Sequence, residues 1–288
     1  MRDTTTVMGL ILDIAKNDNR IRAVFQTGSR VNPLVNRDIM QDYDIIYCVQ
    51  DVEAFKTDES FLEPMGEPIL VHKPDAMKTL GRTASETFLY SCLFEDGVKV
   101  DFKFYPVEKI TNLMTTETLL LLLMDKDNLI QQLAVSSDVG YRAGRATKNE
   151  FEEVTAEFFY RVVEMTPYLY RKQTIGGFYA YRELMDMLNR MLSWYIANEK
   201  DYKVNLGKNY RDIAKNLDDE YRNIYIDVYP SMDSEEFWRA LFAACTLFRK
   251  LGLTLAERLG YNYPRQTDVR VSAHIRKVWQ QAKKARIQ

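Results

Sequence analysis

Apolar residues recur along this chain in two rhythms, and the change between them divides it. Over residues 5–17, Val7, Met8, Leu10, Ile11, Ile14 and Ala15 keep the i, i+3, i+4, i+7 spacing of a helix, which Asn17-Asp18-Asn19 ends. Residues 21–27 then read as a first strand and 44–50 as a second, with Asp51 placed to cap a short helix through Phe55. The chain turns around Glu63-Pro64-Met65-Gly66-Glu67-Pro68, and residues 69–72 form a short strand. Residues 88–95 form another. Asp96-Gly97 signals a two-residue hairpin leading to residues 98–104, where apolar positions alternate strictly with Lys99, Asp101 and Lys103. Residues 108–113 and the leucine-rich 116–125 read as helix.

Residues 133–146, with Ser136-Ser137-Asp138, Gly140 and Gly144, are the expected linker. From there the rhythm is helical. Thr147 and Glu150 fit a capping box ahead of the stripe Phe151, Val154, Phe158, Phe159, Val162 and Met165, which Pro167 should kink or end. After Gly176-Gly177, residues 178–198 form a second long helix whose stripe includes Leu184, Leu188, Met191 and Leu192, with Trp194 read as core rather than as a stacking platform. Gly207-Lys208-Asn209-Tyr210 precedes a helix expected at 211–217. Asp233-Ser234-Glu235-Glu236 opens another, which Gly260 stops. The tail from Asp268 is a basic amphipathic helix carrying Arg276, Lys277, Lys283, Lys284 and Arg286, a pattern that usually marks a solvated face.

Composition narrows the function classes. With 288 residues, 46% hydrophobic and 28% charged, the chain has room for two ordinary globular domains. A net charge of −2 lacks the basic excess of a nucleic-acid binder, so no nucleic-acid partner is expected. Cys48, Cys92 and Cys245 have no metal-ligand spacing and read as buried free thiols of a reducing compartment. The opening Met1 to Thr6 is polar, and the longest apolar run, 119–124, is too short to span a bilayer, so a cytoplasmic protein without a membrane partner is expected, as a monomer or weak homo-oligomer. His72 and His274 have no partner at ligand or triad spacing, and no histidine-based catalysis is expected.

The chemistry concentrates in one stretch. Gly28-Ser29 follows the first strand, and Gln41-Asp42-Tyr43-Asp44-Ile45 opens the second. Period-two alternation sends Asp42 and Asp44 to one face, where two carboxylates would repel unless a divalent cation joined them. Gly28 permits positive φ and close approach to phosphate, and the Ser29 hydroxyl and nearby amides can donate to its oxygens. Asp101, on the polar face of a later strand, supplies a third acid that can ligate metal, accept a proton from an attacking hydroxyl, or do both.

These features resemble the nucleotidyltransferase superfamily that includes DNA polymerase beta. The strings Gly28-Ser29-Arg30, Gln41-Asp42-Tyr43-Asp44-Ile45, Phe94-Glu95-Asp96-Gly97, Asp125-Lys126-Asp127 and Gly207-Lys208-Asn209-Tyr210 are similar to the bacterial aminoglycoside 6-adenylyltransferases, as are a Leu-Phe-Arg-Lys near residue 247 and Tyr263-Pro264. The resemblance implies an α/β (α+β) nucleotidyltransferase domain with a mixed sheet over residues 1–135, then an all-α helical-bundle domain over 136–288 that binds the acceptor. It implies Mg2+ and ATP, with AMP passed to a hydroxyl of a small-molecule aminoglycoside, position 6 of streptomycin being the expected acceptor, and hence antibiotic resistance. Under it, Asp42, Asp44 and Asp101 are the catalytic metal ligands, and Gly28, Ser29, Arg30 and Lys208 hold the nucleotide. Asp125-Lys126-Asp127 reads as surface on its own and equally as a triphosphate contact under the resemblance. Glu86, Glu95, Asp96, Glu183 and Asp212 are all candidates for a guanidinium-binding pocket. Rival readings are a nucleotidyltransferase for a lincosamide or a protein hydroxyl, and a nucleotide-binding regulatory module without catalysis.

Overall fold

A computed structural model describes residues 1–80 and 86–285; Arg286 lies outside them. The chain forms two compact units, Met1–Gly140 and Tyr141–Gln288.

In the first unit, helix α1 (Thr4–Asn17) is capped by the Asp3 carboxylate, which accepts from the Thr6 N–H at 2.8 Å. Six strands follow: β1 (Ile21–Thr27), β2 (Tyr43–Val49), β3 (Pro68–His72), β4 (Phe88–Phe94), β5 (Lys99–Pro106) and β6 (Leu120–Asp125). They assemble in the order β3-β4-β5-β2-β1-β6; β2 and β5 pair in parallel and all other neighbours antiparallel, so the sheet is mixed as expected. Short helices α2 (Ala54–Thr57) and α3 (Ile110–Thr116) lie between strands.

Alternation gives the sheet two different faces. Ile45, Tyr47, Val100, Phe102, Phe104, Tyr90 and Cys92 point into one core with α1, Phe55 and Phe61. Phe55 stacks on Phe104 at 4.3 Å between ring centres, and Phe61 meets Tyr90, Phe102 and Phe104 edge-on. Each such pair contributes about 0.5–1.5 kcal/mol beyond its buried area. The opposite face has a smaller core of Phe25, Ile46, Cys48, Tyr105, Ile110 and Leu120, which leaves one end of that face to polar side chains.

Residues 116–125 do not continue as helix. The chain leaves α3 at Thr116, and Leu120–Asp125 adds to the sheet as the edge strand beside β1. Leucine favours a helix in isolation, but the unpaired edge of β1 offers a full ladder of hydrogen bonds, and pairing overrides propensity. The β4–β5 connection also differs from expectation. Phe94 N–H donates to the Val98 carbonyl, so the loop is the three residues Glu95-Asp96-Gly97, with Gly97 at φ +82°. A left-handed glycine closing a three-residue hairpin shifts the register by one relative to a two-residue turn.

The second unit is helical: α4 (Lys148–Tyr170), α5 (Thr174–Glu199), α6 (Asp219–Asp227), α7 (Ser234–Leu259) and α8 (Arg265–Lys284). The Thr147–Glu150 capping box is formed in both directions. Pro167 falls in the last turn of α4, which runs on to Tyr170. Gly176 and Gly177 begin α5 instead of linking to it: a Cβ at Gly176 would stand 2.8 Å from the Tyr168 ring, so the glycine is a close-packing residue. The expected helix at 211–217 is replaced by 3₁₀ turns at Lys208–Tyr210 and Ala214–Asn216. Helix α8 starts three residues before Asp268, which lies in its first turn and is buried. The core gathers Phe158 stacked on Phe248, Phe237, Trp238 and Leu241, with Trp194 partly buried against it. Among the described residues no helix is long and apolar enough to cross a membrane.

Candidate active site

Register assembles the polar end of the sheet. His72 of β3, Ser91 of β4, Asp101 of β5, Asp44 of β2 and Thr27 of β1 are successive cross-strand partners, one row across five strands. Directly opposed residues project to the same face, so Asp44 and Asp101 stand side by side. Their strand neighbours Tyr43, Ile45, Val100 and Phe102 are buried on the other face, which fixes the orientation of both acids.

Asp44 also rests against Gly28. That glycine, at φ +76°, starts the 3₁₀ turn Gly28–Arg30 after β1, and a Cβ there would lie 2.8 Å from Asp44 Cγ and closer still to Oδ2. Only glycine tolerates both the backbone angle and the contact. Arg30 from the same turn reaches back to the start of β2: Nε donates to the Asp42 carbonyl at 3.0 Å, Nη2 to the Gln41 carbonyl at 2.8 Å, and the guanidinium lies 3.7 Å from the Tyr43 ring centre. It thereby clamps the Gly28–Arg30 turn to the acid-bearing strand. Ser29 sits half-buried in that turn.

Asp101 has two donors that the sequence reading missed. Ser91 Oγ donates to Asp101 Oδ1. Lys99, two residues earlier on β5 and therefore on the same face, pairs with the Asp42 carboxylate and lies 3.1 Å from Asp101 Oδ1. Burial draws the Lys99 ammonium down, but the Asp42 hydrogen bond and the charges of both acids outweigh it, and its pKa lies above the usual lysine value. The signal for Lys99 was present in the Lys-x-Asp alternation. Ser91 was hidden by the turn length, since a two-residue hairpin puts Cys92 opposite Asp101.

Among the described residues no three His, Cys, Asp or Glu side chains are gathered closely enough to hold a metal ion. The expected convergence of three acids is instead a pair in register, Asp44 and Asp101, and a pair bridged by an ammonium, Asp42 and Asp101. This donor set fits magnesium, which is commonly held by one or two carboxylates with substrate phosphates completing its shell, and the Lys99 ammonium marks a position where a cation is already favoured.

Lys208 belongs to the helical unit, exposed on the turn after Gly207, where φ is positive at Gly207, Asn209 and Tyr210. Asp125-Lys126-Asp127 has structural work within the first unit. Lys126 Nζ donates to the carbonyls of Ala15 and Asp18 at 2.6 and 3.0 Å, and Asp127 pairs with Arg22. Of the five acids weighed for an acceptor pocket, four are held by the chain's own cations: Glu86 by Lys109, Asp96 by Arg2, Glu183 by Arg161 and Asp212 by Lys215. Glu95 is exposed at the hairpin tip. The three thiols are buried, and burial pushes each up to about 12, as inert structural cysteines require.

The streptomycin adenylyltransferase family model matches residues 1–278. The aminoglycoside 6-adenylyltransferase of Bacillus subtilis (strain 168) is 34% identical over 266 residues, covering 92% of this chain and 94% of that one. That of Campylobacter jejuni is 32% identical over 269 residues, covering 92% of each, and that of Staphylococcus aureus 27% identical over 266. A crystal structure of the Bacillus subtilis aminoglycoside 6-adenyltransferase aligns with a TM-score of 0.48 at 30% identity, covering 97% of this chain and 99% of that one. A match from the first residue to the 278th, across both units, means that this chain belongs to the streptomycin adenylyltransferase family and is a nucleotidyltransferase enzyme.

Proposed function

We propose that this enzyme transfers AMP from ATP to a hydroxyl of an aminoglycoside, with position 6 of streptomycin as the acceptor, and so confers resistance. The observation that carries the reading is the register that sets Asp44 directly opposite Asp101, beside the Gly28 turn. The names of the relatives supply the acceptor class and the nucleotide.

Asp42, Asp44 and Asp101 would hold magnesium as pairs of acids sharing it with the phosphates of ATP, whose charge it would neutralise. Around it the chain's own groups have separate tasks. Gly28 admits the nucleotide's phosphates close to the backbone, and Ser29 and Arg30 line that approach, Arg30 while keeping its turn fixed to β2. The acceptor hydroxyl attacks the α-phosphorus, the bond to pyrophosphate breaks, and Asp101 takes the hydroxyl proton. Ser91 holds Asp101 in one rotamer for that transfer, and fixing the reacting partners lowers the entropic part of the barrier.

The test is pyrophosphate release by the purified full chain with ATP and magnesium, offering streptomycin, spectinomycin, kanamycin and lincomycin separately. Release with streptomycin alone, lost in Asp42→Asn and in Asp101→Asn with ATP binding retained in the latter, is the expected result. Release with lincomycin alone, or with none of the four, overturns the proposed acceptor; unimpaired turnover in Asp101→Asn removes that residue from the mechanism.

A further inference from the structure

The acids of this site do not face one another bare. The Lys99 ammonium pairs with Asp42 and lies 3.1 Å from Asp101, and its side chain is 41% exposed. Water reaches this bridge, so it can open without the desolvation penalty that holds a buried ion pair closed. A lysine suits an exchangeable role: its ammonium is a compact charge with three donors on a flexible stem, whereas an arginine fork would dock on one carboxylate in a fixed plane.

We propose that Lys99 is a tethered counter-cation that occupies the cation position between Asp42 and Asp101 until nucleotide arrives. The bare chain then binds a divalent ion weakly, and metal enters together with the triphosphate. The inference rests on the reading of Asp42, Asp44 and Asp101 as metal ligands. Formal charges give its direction. Three carboxylates and one ammonium sum to −2, so an ion arriving alone must displace Lys99 from two partners or accept it as a neighbour of like charge. A triphosphate adds negative charge on the same side of the sheet, giving the ammonium other oxygens to pair with and freeing Asp42 and Asp101. Lys99 stays on that face throughout, because strand alternation anchors it two residues from Asp101.

Mn2+ is the probe, titrated into the nucleotide-free full chain and followed by the electron paramagnetic resonance signal of the free ion. Lys99→Met, which keeps the stem and removes the charge, is expected to bind Mn2+ about tenfold more tightly than the unchanged chain, on the scale that one charge beside two partly exposed carboxylates warrants. Lys99→Arg keeps a cation there and is expected to stay within about threefold of the unchanged chain on the same grounds. Equal or weaker binding by Lys99→Met overturns the proposal. Adding Asp44→Asn to Lys99→Met separates the two failures. Loss of the tight binding places the ion at these acids. Its persistence means that Mn2+ sits elsewhere, and both the metal reading and the role of Lys99 fall. Circular dichroism confirms that each variant is folded, which the half-exposed position of Lys99 favours.

Discussion

Replacing Gly28 by alanine tests whether the turn after β1 exists to bring the backbone against Asp44. The substitution does two things. At φ +76° an added Cβ is strained against its own carbonyl, which costs about 1–2 kcal/mol. It also lands 2.8 Å from Asp44 Cγ, well inside van der Waals contact, so the carboxylate must leave its place in the row with Asp101. Misplacing a reacting group by about 1 Å can cost on the order of a hundredfold in rate. The expected result is a loss of about 1–3 kcal/mol in stability with an approximately hundredfold fall in pyrophosphate release at saturating ATP. A matched control isolates the second effect. Gly260 ends α7 at φ +72° with nothing within 4 Å of an added Cβ, so Gly260→Ala carries the backbone strain without a displaced acid. Urea denaturation and a coupled pyrophosphate assay on both variants decide the matter. If Gly28→Ala turns over within about threefold of Gly260→Ala, the contact with Asp44 has no catalytic consequence and the reasoning fails.

Ser91→Ala removes the hydroxyl that donates to Asp101, and a hydrogen bond to a charged group is worth about 1.5–3 kcal/mol, so kcat is expected to fall roughly tenfold or more with little change in KM for ATP; unchanged kcat refutes a positioning role. Asp268→Asn should lower the stability of the helical unit by about 3–5 kcal/mol, because a buried carboxylate bonded to Arg249, Tyr263 and Ser272 loses its charge and leaves Arg249 without its counter-ion. A loss under about 1 kcal/mol in urea denaturation would show that the network is dispensable. Burial raises the Asp268 carboxyl, but the Arg249 and Tyr263 hydrogen bonds and the Arg249 charge outweigh it and hold its pKa below the usual value. The contribution is therefore present above the unfolded-state pKa and is lost as pH falls through the folded-state value, so the difference between the original chain and Asp268→Asn should shrink below about pH 4.

The sequence made the sheet's catalytic face legible because that face follows a strict rule. Alternation across Val98 to Phe104 settles which side Asp101 occupies, and the pairing of β2 with β5 only has to align it with Asp44. What alternation cannot give is cross-strand position. One residue in the length of the Glu95-Asp96-Gly97 loop decides whether Ser91 or Cys92 faces Asp101, and the left-handed Gly97 settles it for serine. The strand at Leu120–Asp125 was illegible for a different reason. Its leucines carry no period-two signal, since Leu120 and Leu122 pack into one core, Leu123 into the other and Leu121 is exposed, and only the edge of β1 makes it a strand. Gly176-Gly177 misled in the opposite sense, because glycines chosen for close packing against Tyr168 and Phe237 look like a break when no partner is in view.

The strings that carried the family resemblance do not share one kind of work. Gly28-Ser29-Arg30 and Asp42-Tyr43-Asp44 meet at the row of acids, where Arg30 binds the two strings together through the carbonyls of Gln41 and Asp42. Asp125-Lys126-Asp127 instead ties the end of β6 to α1 and β1, and Asp96 holds Arg2 at the start of the chain. The Leu-Phe-Arg-Lys string and Tyr263 converge on one buried carboxylate, since Arg249 and Tyr263 both bond to Asp268. Burying that charge is tolerable only because four hydrogen bonds from three side chains satisfy it, and it pins the first turn of α8 to α7. Chemistry and architecture leave equally sharp marks in a sequence, and they separate when each polar side chain is asked what it bonds to. Asp42 and Asp101 share the ammonium of Lys99, a single flexible lysine, whereas Asp268 and Asp127 are each bonded to a guanidinium.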